Sequence, residues 1–334
     1  MRTLGLACVV GLGLGLGGAA RAQIATVPTM DPAALAGALN PSGLTITSVV
    51  IRNGVAGQFG TYAHFTMPPV TIRDGVVLSS GDVTSIGPLA EVLDPAYEPS
   101  SPPAAVSNQM QMDVDGSTAE FNDYGSQSNH IENFQGSYDV AALEVHFTLA
   151  SASQVKFDYV FGSVEFPFYT SSFTDAFLVF VDGFGANDQV AFDLNNNPVQ
   201  VGASFAGRTT TADVNTAFAA PHGLIDHLTT TTGVLSAGAH TIVFEVGDVN
   251  DHILDSAVFI ANLRTGTGAT GTVPSEDCRA DFDDSGHLSV ADIFAFMNGW
   301  FEGERDADFN GSHALEVADI FAFMNAWFAG CVDE

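Results

Sequence analysis

Positive charge is scarce in this chain. Nine Lys and Arg residues stand against 39 Asp and Glu, Lys156 is the one lysine, and the formal net charge is −30. That balance argues against nucleic acid or an anionic membrane as partner. It fits a cation-rich setting, and equally a plain need for solubility. Cysteine is scarce too, at Cys8, Cys278 and Cys331, so a cysteine-built metal or redox centre lacks ligands. No apolar run beyond the N-terminus is long enough to span a bilayer. There is no H-E-x-x-H, no G-x-S-x-G and no phosphate-cradling glycine loop. The histidines (His64, His130, His146, His222, His227, His240, His252) are scattered and read as surface or turn residues. Tryptophan is confined to Trp300 and Trp327. The first three quarters therefore lack the ring on which sugar sites commonly stack a pyranose, although six tyrosines keep an extracellular glycan open as a ligand.

What is present begins with an export signal over residues 1–22. Arg2 supplies the charged start, Leu4 to Leu16 the short apolar stretch, and Ala20-Arg21-Ala22 the cleavage site. The expectation is a secreted protein, extracellular or attached at a cell surface and not inserted in the membrane. Loss of Arg2 and Arg21 takes the charge from −30 to −32.

Asp31-Pro32 ahead of AALAGAL predicts a short capped helix that Asn40-Pro41 ends. β-like runs follow at 44–51, 61–67 and 75–80. Residues 87–138 are rich in Pro, Ser, Asn and Gln and read as a long loop or insertion. Strand patterns resume at 141–149 and 154–162, where Val155, Phe157, Tyr159 and Phe161 share a face. DAFLVFVDG (175–183) is apolar throughout its middle and should be buried on both faces. QVAFDLN, HTIVFEVGDV and DSAVFIANL complete the series. Strands with little helix predict a mainly β fold, an antiparallel, jelly-roll-like β-sandwich over 23–264. Its expected core includes Phe157, Tyr159, Phe161, Phe177, Val179, Val181, Phe244, Val258 and Ile260. Residues 265–277 have linker composition.

The last quarter repeats itself. Residues 280–303 and 307–330 are identical at 17 of 24 positions. Each copy sets oxygen-bearing side chains at the spacing of an EF-hand-type calcium loop, then enters an aromatic helix. Loop one offers Asp281, Asp283, Ser285, the His287 carbonyl, Ser289 and Asp292. Loop two offers Asp308, Asn310, Ser312, the Ala314 carbonyl, Glu316 and Asp319. His313 replaces the turn glycine in loop two, so that site should be the weaker. Ile293, Met297, Trp300 and Phe301 share a helix face, as do Ile320, Met324, Trp327 and Phe328. Most should pack one repeat on the other, and an aromatic patch could remain for docking. Cys278 and Cys331 bracket the pair and should form a disulfide worth about 4 kcal/mol.

Aspartate at loop position 12, the duplication and the ending Ala329-Gly330-Cys331 make residues 278–331 resemble a dockerin of the GC type. That resemblance implies calcium as cofactor and a cohesin-like scaffold or surface protein as partner. It implies Val290, Ala291, Val317 and Ala318 as partner contacts, usable in two orientations. The apolar pairs depart from the hydroxyl-bearing pairs of cellulosomal dockerins.

The larger part carries LAGALNPSGLTITSVVIRNG, DGVVLSSGDV, FDYVFGSVEFP, FTDAFLVFVDG and DSAVFIANL. These phrases resemble the choice-of-anchor L domain over about residues 30–264, and the likeness implies a surface or secreted module without an established activity. Three readings of its carboxylates stay open. Glu165, Asp175 and Asp182 could be turn and cap residues. Asp248, Asn250, Asp251 and Asp255 could hold a third calcium. Glu165 with Asp175 could be the paired acids of a glycoside hydrolase delivered by its dockerin. The expectation is a non-catalytic binding module.

Overall fold

The computed structural model describes residues 24–65, 72–87, 114, 116–127, 130–166, 169–170, 172–193, 196–202, 216–218, 223–224, 228–266, 280, 282, 289–302, 307, 309 and 315–329. The export signal, Cys278, Cys331, most of the linker, and loop residues Asp281, Asp283, Ser285, His287, Asp308, Asn310, Ser312 and Ala314 lie outside them.

Two antiparallel sheets make a sandwich. The first runs β1 (Ala25–Pro28), β3 (Phe59–Ala63), β4 (Gly75–Ser79), β12 (Ser256–Thr265), β6 (Val155–Ser163), β10 (Leu228–Thr231), with β9 (Gly223–Leu224) also on β6. The second runs β2 (Thr45–Asn53), β5 (Ser137–Leu149), β11 (Gly238–Val249), β7 (Ala176–Val181), β8 (Val199–Gln200). All nine expected core residues lie in the one cluster between the sheets. Phe157 meets Phe244 edge-on at 5.1 Å, one ring from each sheet.

The outer faces are covered as well, which is why β7 is apolar at every position. Phe177, Val179 and Val181 point into the sandwich. Ala176, Leu178 and Phe180 point out, against Phe121 and Tyr124 of helix α2 (Ala119–Ser126). That helix lies inside the stretch read as a long loop. Its amphipathic signal is short and diluted by Asn, Asp, Gly and Ser. Thr118 caps it by accepting from Phe121 N, and Arg52 of β2 binds Glu120 at 2.5 Å and Glu144 of β5 at 2.6 Å. The far face of the first sheet packs Val77, Val160 and Phe259 against Phe65 and Phe218.

Helix α1 (Pro32–Ala38) forms where Asp31-Pro32 predicted it, and Asp31 Oδ1 accepts from Ala33 N at 3.0 Å. Asp31→Ala should destabilise the sandwich by about 1 kcal/mol, the usual cost of a lost N-cap. Thermal melting that is unchanged would show the cap to be idle. QVAFDLN is a correction: its described residues, 189–193, form no strand and make the isolated bridges Phe180↔Gln189 and Phe192↔Pro198. The short run is interrupted as a ladder by Asp193, which turns the chain by accepting from Asn197 N. Strand β10 was not foreseen, because LTTT has too little apolar signal.

At the C-terminus, helices α3 (Val290–Glu302) and α4 (Val317–Ala329) pack around four phenylalanines. Among the described residues of the chain, no helix is long and apolar enough to cross a membrane.

Candidate functional site

Two places bring chemistry-bearing residues together. The first is one end of the sandwich. Antiparallel register sets the start of β5 beside the end of β11, with Asp248 opposite Tyr138. It also sets the start of β7 beside Gly247, and the start of β12 beside the end of β6, with Ser256 opposite Ser163. Each of these five strand ends carries a carboxylate within two residues of it: Asp139, Glu165, Asp175, Asp248 and Asp255. All five are buried, none more than 1 % exposed.

The interior they form is tightly built. Asp175 Oδ2 accepts from Ser256 Oγ at 2.6 Å and its Oδ1 from Val249 N at 3.0 Å, tying one sheet to the other. Asp139 Oδ1 accepts from Val114 N at 2.8 Å. One ligand oxygen each from Asp139, Asp248 and Asp255 lies within 4.8 Å of the others. Among the described residues, the carboxylate oxygens of Glu165, Asp248 and Asp255 make no hydrogen bond of good geometry, with the Ser80 hydroxyl near Asp248 and Asp255 and the Asp175 carboxyl near Glu165. Burial, then the charges of their neighbours, pushes Glu165, Asp248 and Asp255 well above the ordinary carboxylate range. Burial likewise pushes Asp175 up to about 7, against its bonds from Ser256 and Val249. His252 sits at the edge, its Nδ1 3.6 Å from Asp139 Oδ2. Asp139, Asn250 and Leu254 all hold a left-handed backbone, at φ 51°, 78° and 71°. Such conformations cost energy in non-glycine residues and gather at functional sites.

Of the residues read together from sequence, Asp248 and Asp255 converge. Asn250 is occupied elsewhere: its Oδ1 accepts from Gln135 N, and its Nδ2 donates to the Asn133 and Ser172 carbonyls. Asp251 Oδ1 accepts from Ile253 N at 3.2 Å, as a turn residue does. Asp139 is the member that sequence reading missed. Glu165 and Asp175 do come together, and both are fully buried. Asp182 is a turn residue at φ 57°, accepting from Thr241 N and bonded to His240 Nδ1 at 2.6 Å. His240 is therefore buried and hydrogen-bonded to Asp182 rather than a plain surface residue. Burial opposes its charge, but Asp182 and the Ser236 carbonyl raise its affinity for a proton.

The second place is the C-terminal pair. Phe296 and Phe323, equivalent in the two repeats, stack with centroids 4.1 Å apart and planes 1° from parallel. Phe282 meets Phe296 edge-on at 5.3 Å, and Phe309 meets Phe323 at 5.4 Å. Trp300 Nε1 donates to the Glu316 carbonyl, and Trp327 Nε1 to the Ser289 carbonyl. Each tryptophan thus pins position nine of the other repeat's loop. Asp292 and Asp319, the closing residues of the loops, are buried and accept from Ser289 N at 2.6 Å and Glu316 N at 2.8 Å. These ring contacts and hydrogen bonds come in matched pairs, so a pseudo-two-fold axis runs between Phe296 and Phe323. Phe301 and Phe328 fall off the packing face predicted for them. They are exposed, and Phe296 and Phe323 fill the centre instead, while Ile293, Met297, Trp300 and their counterparts are half-buried against it.

The family model of the choice-of-anchor L domain matches residues 26–263. No curated protein matches the chain. Among solved structures, a carbohydrate-binding module specific for non-crystalline cellulose is similar at 14 % identity, over 38 % of this chain and 67 % of that one, with a TM-score of 0.19. So small an overlap carries no argument about fold or ligand. Choice-of-anchor domains are associated with cell-surface or secreted proteins, and the L family is not an enzyme family. The match spans both sheets from β1 to β12, and by it the chain belongs to the choice-of-anchor L domain family.

Proposed function

We propose that this protein is an exported, non-catalytic β-sandwich module held at an extracellular surface or scaffold by its C-terminal pair of calcium-loop helices, in the manner of a dockerin. The reading rests chiefly on the outward faces of that pair. Val290, Phe294 and Phe301 are 58, 67 and 74 % exposed, and Val317, Phe321 and Phe328 are 58, 66 and 73 % exposed. Three large apolar side chains on each helix, matched across the two-fold, are an unusual thing to leave in water. Ala291 and Ala318 are exposed beside them, so the positions that the dockerin likeness assigns to partner contact lie on this surface. The partner is a cohesin-like protein with an apolar contact strip, and calcium on the loops holds the helices in place to meet it. The sandwich is the cargo, for adhesion, matrix formation or glycan binding. A glycoside hydrolase fits less well, because Glu165 and Asp175 are enclosed.

The test is attachment. The full chain, displayed by its own host, should stay with the envelope or scaffold fraction. Deleting residues 275–334 should release it into the medium, and EGTA should release the intact protein. A truncated protein that remains attached would place the tether elsewhere.

A further inference from the structure

The strand-end carboxylates pose a problem that the tethering role leaves unsolved. Five acids are buried at the junction of the two sheets, and burying an ionised carboxylate without a partner is costly. Among the described residues, the arginines and the lysine lie elsewhere, Arg73 over the Phe282 ring at 5.0 Å. Arg52 is held by Glu120 and Glu144, Arg264 makes a two-pronged contact with Asp158, and Lys156 sits at the opposite end of β6. Apart from His252 at the edge, 3.6 Å from Asp139, what faces the acids among the described residues is more acid: Glu165 and Asp175 act on Asp248, and Asp139 and Asp175 on Asp255.

The geometry suits a cation. Two oxygens on opposite sides of one calcium ion stand roughly 4.6 to 5.2 Å apart, given bond lengths of about 2.3–2.6 Å. The oxygens of Asp139, Asp248 and Asp255 fall inside that span, at 4.8 Å or less. Independently of that trio, Glu165 is fully buried, its charge acts on Asp248, and neither of its oxygens makes a hydrogen bond of good geometry among the described residues, Asp175 being its near neighbour. Asp175 is already hydrogen-bonded through both oxygens, so it braces the site instead of ligating. The donors are carboxylate oxygens from separate strands, with no thiolate. Magnesium prefers to keep several waters, which suits a buried site poorly, whereas calcium accepts an all-protein, irregular oxygen shell.

We propose that the sandwich holds one calcium ion at the end where its sheets meet, ligated by Asp139, Asp248 and Asp255 with Glu165 adjoining. The ion cross-links strand ends of both sheets: β5 and β11 in one, β12 and the segment after β6 in the other. It is separate from the two loops of the C-terminal pair.

The experiment uses the full chain with Asp281→Ala and Asp308→Ala, which removes the first ligand of each C-terminal loop. After chelation and dialysis, calcium chloride is titrated and bound metal is counted. One calcium per chain should remain, and the melting of the sandwich should rise by about 5–10 °C when it binds. Adding Asp248→Asn and Asp255→Asn should abolish both. Should that variant not fold, terbium chloride on the loop variant serves instead. Its luminescence lifetime in H2O and D2O should report at most one bound water. Three results would overturn the proposal: no calcium on the loop variant, calcium unchanged by the interior substitutions, or a terbium site carrying several waters. If the acids simply hold protons, chelator leaves the melting alone and the interior variant melts as high as its parent, which also overturns it.

Discussion

Phe296→Ala should unfold the C-terminal pair and leave the sandwich standing. The Phe296 ring is fully buried, stacked on Phe323 and met edge-on by Phe282 and Phe309. Truncating a buried phenylalanine to alanine costs about 3–5 kcal/mol. A module of some fifty residues has a core that rarely supplies more than about 3–5 kcal/mol of net stability, so the loss is of the size of the whole margin. The readout is unusually clean, because both tryptophans are in this module and none is in the sandwich. Tryptophan emission should shift to the red, while the β-rich circular dichroism survives. Phe323→Ala, across the two-fold, should behave alike. Native-like emission from either variant would show that the stacked pair is not the centre of the module.

The second large effect concerns pH. Glu245 lies on β11 between Ala142 and Leu178, on the face that α2 covers, and is fully buried. Burial, and then the charge of Glu120, pushes its carboxyl up from 4.5 to about 8, with Thr118 and Arg52 offsetting only part. Because the folded value lies above the unfolded one, the folded protein binds the extra proton. The stability that Glu245 contributes is therefore complete below about pH 4.5, falls by roughly 1.4 kcal/mol per unit as pH rises, and is gone once pH passes about 8. Glu245→Gln keeps the shape and cannot ionise. Its advantage over the parent protein should be about 1 kcal/mol at pH 5 and grow to roughly 5 kcal/mol at pH 9. Urea unfolding of the two proteins side by side, in excess calcium, isolates this group from the other raised carboxylates. An advantage equal at both pH values would mean that Glu245 is not the group responsible.

The central strands were legible because their two faces are buried by different things. Phe157, Tyr159 and Phe161 alternate with polar or smaller residues, and β7 alternates with nothing; both patterns came out as read. Helix α2 was not legible, since eight residues of AEFNDYGS carry two large apolar side chains and little else. The carboxylate cluster was half legible. Asp248 and Asp255 are close in sequence and invited a common reading. Asp139 is more than a hundred residues away from Asp248 and arrives only because β5 pairs with β11 at Tyr138, across a register shift. Nothing in local composition carries that information. Asn250 was drawn into the same reading by its position and turns out to organise the turn, as its three hydrogen bonds show. In the C-terminal helices, periodicity found a packing face but put Phe301 and Phe328 on it. The two-fold contact needed Phe296 and Phe323 in the centre, and that rotation of each helix is set by the partner helix.

The reciprocal tryptophan bonds have a consequence for how copies of this protein keep apart. Trp300 reaches the Glu316 carbonyl and Trp327 the Ser289 carbonyl, through two repeats that are nearly the same sequence. A first repeat from one molecule therefore offers a second repeat from another much the same contacts as its own. What favours self-pairing is the chain of residues 303–316, which keeps the proper mate at high effective concentration. Where many copies crowd together, that advantage shrinks, and exchange of repeats between neighbours becomes a route to chains linked in series.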